Sequence, residues 1–102
     1  MKVHWTETAE GHLDAIYQYI AQDSRQYAKR MVDRLTRRSQ QIAEHPLSGR
    51  RVPEFELKQI REVIEGSFRI IYYIKPDQIE IIAVIHGAMD LSDSPENEDD
   101  ED

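Results

Sequence analysis

The sequence predicts one small α+β domain: a short N-terminal strand, a helical hairpin, then a three-stranded antiparallel meander packed on the helices. Three observations predict it. Apolar residues recur at helical steps through the first 45 positions, and runs rich in β-branched and aromatic residues, parted by short turn signals, fill the region after residue 59. A chain of 102 residues also has room for one core and one domain.

Taken in order, Val3 and Trp5 alternate with Lys2 and His4, as in a short half-buried strand. Thr6 offers a hydroxyl cap, and Glu7 and Glu10 lie near the positive end of the helix that follows. Ala9, Leu13, Ile16 and Ile20 recur at steps of four, three and four, so the first helix is expected from about Thr6 to about Gln22. Ser24 caps a second helix, whose stripe is Ala28, Met31, Leu35, Ser39 and Ile42, widened by Val32 and Ala43. It should end near His45, because Pro46 disfavours helical geometry in the residue before it. The short connection makes the two helices an antiparallel hairpin.

From Leu47 through Lys58 no helical period is found, and Ser48, Gly49 and Pro53 punctuate a polar loop. Strands are expected over Ile60 to Ile64, Phe68 to Ile74 and Ile79 to Ile85, linked by a tight turn at Glu65-Gly66 and a proline-bearing turn at Lys75-Pro76-Asp77-Gln78. The last strand is apolar on both faces apart from Glu80, which marks it as central. One of its faces must lie under the helices, and Ile82 or Val84 on the other could face a partner. Tyr17, Tyr19, Tyr72 and Tyr73 read as core and sheet residues. Residues 1–91 thus form the domain, and 92–102 an acidic segment with nothing to bury, expected to be disordered.

The net charge of −7 lies almost wholly in that segment. Asp93, Glu96, Glu98, Asp99, Asp100, Glu101 and Asp102 carry it without a single base, so the remaining 92 residues balance 13 bases against 13 acids. Residues 25–51 hold eight bases (Arg25, Lys29, Arg30, Arg34, Arg37, Arg38, Arg50 and Arg51) against Asp33 and Glu44, which predicts a basic surface band. The helical arginines read most simply as a solvated face. The acidic end reads as a solubilising tail, or as a segment that folds back over the basic band with a strength that salt would screen.

Without cysteine the chain can hold neither a disulfide framework nor a thiolate metal site, which suits a reducing compartment. Met1-Lys2-Val3-His4-Trp5 lacks the apolar run of a signal peptide, and no stretch approaches the ~18 apolar residues of a membrane span. A cytoplasmic location away from membranes is expected. No histidine, aspartate or glutamate stands at metal-ligand spacing around His86, so neither a metal nor any other cofactor is expected.

The order of elements and the residues threaded through it resemble the RelE/ParE superfamily of bacterial toxins. The pieces that carry the resemblance are Trp5-Thr6-Glu7-Thr8-Ala9, Ile16-Tyr17-Gln18-Tyr19-Ile20, His45-Pro46-Leu47-Ser48-Gly49-Arg50, Arg51-Val52-Pro53-Glu54, Ile60-Arg61-Glu62-Val63, Phe68-Arg69-Ile70-Ile71-Tyr72 and Val84-Ile85-His86-Gly87-Ala88. The likeness is closer to the ParE branch, in which a His-Gly-Ala-Arg element typically ends the last strand; here Met89 stands where that arginine would be.

The resemblance implies the toxin of a type II toxin-antitoxin pair, of the kind associated with plasmid stabilisation and growth inhibition, held in a hetero-oligomer by a cognate antitoxin. ParE-like members poison DNA gyrase by protein contact, whereas RelE-like members cut messenger RNA on the ribosome. On the first reading there are no catalytic residues, and Arg50, Arg51, Lys58, Arg61, Arg69, His86 and Met89 are the candidate contacts with target or antitoxin.

The second reading needs a base for the 2'-hydroxyl, an acid for the leaving oxygen and cations for the phosphate. Glu54 or His86 would handle protons, and Arg51, Lys58, Arg61 and Arg69 would clamp phosphate. Arg61 and Arg69, on strands joined by a tight turn, could converge, or could instead pair with Glu62, Glu65 or Glu80 across the sheet. A chain end of seven carboxylates would repel a phosphate backbone, which favours the first reading. A degenerate toxin that keeps only antitoxin binding is the third.

Overall fold

The computed structural model describes residues 1–87. Strand β1 (Lys2–Trp5) leads into helices α1 (Glu7–Ala21) and α2 (Arg25–Glu44). A 3-10 turn (Pro46–Ser48), a two-residue strand β2 (Arg50–Arg51) and the strands β3 (Ile60–Glu65), β4 (Phe68–Ile74) and β5 (Gln78–His86) follow. The meander is the centre of a larger sheet, in the order β1-β5-β4-β3-β2. β1 runs parallel to β5, with Lys2 opposite Gln78 and Trp5 opposite Ile81. The stretch after Leu47 is therefore not all loop: proline at the start allows one 3-10 turn, and Arg50 and Arg51 pair with Glu62 and Arg61.

Both helices start on hydroxyl caps. Thr6 Oγ1 accepts from the Ala9 amide at 3.1 Å and itself donates to the Ile81 carbonyl at 3.0 Å, so one side chain begins α1 and ties it to β5. Ser24 caps α2 through the Tyr27 amide. The buried residues of α2 are Ala28, Met31, Leu35, Ser39 and Ile42, the stripe its period predicts. Ser39 is satisfied within the core, accepting from Trp5 Nε1 at 3.3 Å and donating to the Thr36 carbonyl at 2.6 Å. In α1 only Ala9 is fully buried; Leu13, Ile16 and Ile20 lie half-covered against the core, and Tyr19 is 75 % exposed rather than a core residue.

Helices cover one face of the sheet, with Ile70, Tyr72, Ile79, Ile81, Val63 and Val84 beneath them. A second apolar cluster on the other face gathers Val52, Ile60, Ile71, Ala83 and Ile85. Strict alternation would put Ile79, Ile81, Ala83 and Ile85 on one side. The register instead pairs Tyr72 with Ile81 and Ile71 with Ala83, leaving Ile82 as an extra residue. This bulge reverses the faces after it, so Val84 lies buried under the helices, not open to a partner, and Ile82 is half-buried.

Between β3 and β4, Gly66 has φ of +59°, the conformation a type II′ hairpin asks of its first central residue. Among the described residues no helix is long and apolar enough to cross a membrane.

Candidate functional site

Arg69 and Arg61 do not converge. The two-residue link between β3 and β4 sets Ile64 opposite Arg69 and Arg61 opposite Tyr72. Partners directly across share a face and successive residues alternate, so the two arginines project from opposite sides of the sheet.

On the face away from the helices, Arg69 donates from both terminal nitrogens to Glu54 at 3.0 Å and from Nε to Glu62 Oε1 at 2.7 Å. Arg50 reaches the other oxygen of Glu62. Arg69 is 5 % exposed and Glu62 1 %. Its bond to Glu54 first, with Glu62 adding, holds the Arg69 guanidinium above its ordinary pKa despite the opposing effect of burial. The bidentate grip fixes the path of the loop carrying Glu54, which is indeterminate from sequence alone. Chemically, this arrangement pins a loop to a sheet; Glu54 and Arg69 are engaged with each other.

On the helix face, Arg61 Nη1 donates to the Gly49 carbonyl at 3.0 Å, while its Nε is buried without a hydrogen-bond partner. The Gly49 amide donates to Tyr72 Oη at 3.0 Å, and Tyr72 Oη donates to the Pro46 carbonyl at 2.7 Å. A Cβ on Gly49 would run into that hydroxyl and lie 2.6 Å from the Glu62 carbonyl, so only glycine fits. Burial raises the Tyr72 pKa above its ordinary value. The His-Pro-Leu-Ser-Gly-Arg segment is thus moulded around Tyr72.

Arg51, at the end of β2, and Lys58, on the loop between β2 and β3, lie exposed, with Arg51 donating to the Glu56 carbonyl at 2.9 Å. Phe55 and Leu57 are exposed on the same loop. His86 is opposite Phe68 and meets its ring edge-on, with centroids 6.1 Å apart. Met89 lies outside the described residues. No group of three or more His, Asp or Glu able to hold a metal ion occurs among the described residues.

Two features escape a linear reading. An apolar groove of about 460 Å³ opens between α1 and the end of β5, lined by His12, Ile16, Tyr19, Phe68, Val84 and His86 among others. β1 covers β5 only as far as Ile81, and beyond it His12 Nδ1 accepts from the Val84 amide at 3.2 Å. His12 stands three residues after Ala9 and four before Ile16, so its place on the inner face of α1 was legible from spacing. The second feature is a polar cleft lined by Arg34, Arg37, Arg38, Gln41 and Glu65.

Comparison with known proteins agrees with this architecture. Two solved structures share the fold: that of a chromosomal ParDE toxin-antitoxin system from P. aeruginosa, at TM-score 0.70 and 24% identity over 84% of this chain and 95% of that one, and the RelBE2 toxin-antitoxin complex of Mycobacterium tuberculosis, at TM-score 0.64 and 20% identity over 83% and 95%. In sequence, the chain is 34% identical over 88 residues to Y4kP of Sinorhizobium fredii, covering 84% of this chain and 88% of that protein. It is 33% identical over 87 residues to Toxin RelE2 of Caulobacter vibrioides, covering 85% and 96%.

The two-layer fold is that of the RelE/ParE toxin superfamily. Residues 3–91 match the family described as the ParE toxin of the type II toxin-antitoxin system parDE, and the chain belongs to that family.

Proposed function

We propose that this toxin inhibits DNA gyrase in the cytoplasm by protein contact, with no chemistry of its own, and that a cognate antitoxin restrains it in a hetero-oligomer. The observation that carries this reading is the dispersal of the groups a nuclease would need. Glu54, the candidate base, is held by Arg69. Arg61 opens on the opposite face. His86 shares that face but is displaced from Arg61 by four residues along β4 and two strands across, on the order of 16 Å at ordinary strand spacings.

Arg51 and Lys58, beside the exposed Phe55 and Leu57, instead offer a projecting cationic and apolar loop suited to a protein surface. The groove between α1 and β5 suits the antitoxin, which would lay an amphipathic helix or an added strand over it.

Purified toxin should block supercoiling by gyrase, leave ribosome-bound messages intact, and lose its effect when the product of the adjacent antitoxin gene is added. Cleaved messages with unimpaired supercoiling would sink the proposal and support ribosome-dependent RNA cleavage, the reading favoured by the 33% identity to a protein named RelE2. Met89→Arg should raise toxicity; unchanged growth inhibition would show that the position does not matter.

A further inference from the structure

The end of the sheet where β3, β4 and β5 meet brings two unlike surfaces side by side. Phe68 opens β4 and lies opposite Glu65 on one flank and His86 on the other. Residues directly across share a face, so these three side chains form one row on the helix side of the sheet. Phe68 and His86 line the apolar groove beside α1, and Glu65 lines the polar cleft beside α2. Two strand spacings, about 10 Å, part His86 from Glu65.

The cleft carries more positive charge than it answers. Arg34, Arg37 and Arg38 line it, and Glu65 is the acid among its described lining residues. Arg34 donates to Glu65 Oε2 through Nε at 3.2 Å and Nη2 at 2.7 Å. Arg38 Nε stands 3.7 Å from Glu65 Oε1, and its Nη1 donates to Gln41 at 3.1 Å. Arg37 is exposed and has no hydrogen-bond or ion-pair partner among the described residues. Three guanidiniums against one carboxylate leave the cleft with the charge to take a second anion.

We propose that the cleft takes a carboxylate of the same partner segment whose apolar side chains fill the groove. The proposal rests on the reading of the groove as the antitoxin's seat, and it gives that partner a chemistry: an apolar stripe followed by aspartate or glutamate about seven helical residues beyond its last anchor. Continuity with an apolar groove selects a protein segment over a nucleic-acid backbone, whose closely spaced phosphates would also meet Glu65 in the cleft. The groove supplies burial. The cleft supplies register and choice of partner, because a segment with lysine at that place would set like charges together.

The test measures binding of the full chain to the cognate antitoxin by calorimetry. Arg37→Glu with Arg38→Glu reverses the cleft, and Arg25→Glu with Lys29→Glu makes the same charge change on exposed bases of α2 outside it. Ala15→Arg blocks the groove at an exposed lining residue. At low salt the cleft variant should bind about tenfold more weakly than wild type, and the control within about twofold of it. The gap should narrow at about 1 M salt, where the Debye length is about 3 Å. Replacing the antitoxin's acidic residues one at a time by lysine should find one that binds the cleft variant better than it binds wild type. Undiminished binding by the cleft variant, equal loss in the cleft and control variants, or no lysine that rescues would each overturn the proposal. So would undiminished antitoxin binding with lost affinity for duplex DNA or RNA, which would assign the cleft to nucleic acid. Weak binding by Ala15→Arg beside full binding by the cleft variant removes this inference alone, whereas full binding by Ala15→Arg overturns the groove reading and the joint site with it.

Discussion

Arg69, 5 % exposed and gripping Glu54 and Glu62, belongs to the folding of this protein before it belongs to any contact it makes. Replacing it by leucine leaves the shielded Glu54 without its cation and Glu62 with Arg50 alone, and such a loss costs roughly 3–5 kcal/mol. Urea unfolding of Arg69→Leu should show that loss, and adding Glu54→Gln and Glu62→Gln should recover part of it. Lys58→Ala, on an exposed loop, should change stability by less than about 0.5 kcal/mol in the same assay, so any loss of potency there reports on contact alone. Tyr72 gives the fold an alkaline limit. Its raised pKa means that the native state keeps the phenolic proton more tightly than the unfolded chain does. Stability is therefore full below the ordinary tyrosine value of 10.0 and falls as pH rises through the higher folded value. Tyr72→Phe, lower in stability at neutral pH for want of the bonds to Pro46 and Gly49, should lose less of what remains when denaturant midpoints are compared across that range.

At the scale of elements, Thr6 serves both α1 and β5, so Thr6→Ala should cost about 1–2 kcal/mol, measured by the shift in urea midpoint. A helix repeats its period often enough to be read without neighbours: twenty residues of α2 carry five buried positions at steps of three and four, and both its ends have chemical markers. The meander's strands were legible for a related reason, their β-branched runs being bounded by turn residues. What was not legible depends on counting across strands. Ile82 adds one residue to β5 without altering its composition, yet it moves Val84 under the helices and Ala83 and Ile85 to the other face. The separation of Arg61 from Arg69 follows from the two-residue turn Gly66-Ser67, which sets Ile64 opposite Arg69 and Tyr72 opposite Arg61. Glu54 lies in a loop with no period, and only its partner fixes it. The arginine cleft joins residues from α2 to Glu65, some thirty positions away, for which a linear sequence gives no cue.

For the whole molecule, the division of charged groups between two faces and an exposed loop separates integrity from recognition. Arg51→Glu with Lys58→Glu should weaken inhibition of gyrase by about tenfold, the scale of ~1.4 kcal/mol of lost complementarity, with an unchanged unfolding midpoint. Equal potency in the supercoiling assay would remove this loop from the interface. The parallel pairing of β1 with β5 has a consequence in time. Residues 2–5 have no sheet to join until residues 78–81 exist, and the bond from Thr6 to Ile81 closes a loop of 75 residues. A chain emerging from the ribosome must hold its first strand waiting while both helices and three further strands are made. The groove bounded by β5 is likewise incomplete until Val84, Ile85 and His86 have been made, so every earlier stage of the nascent chain lacks that surface.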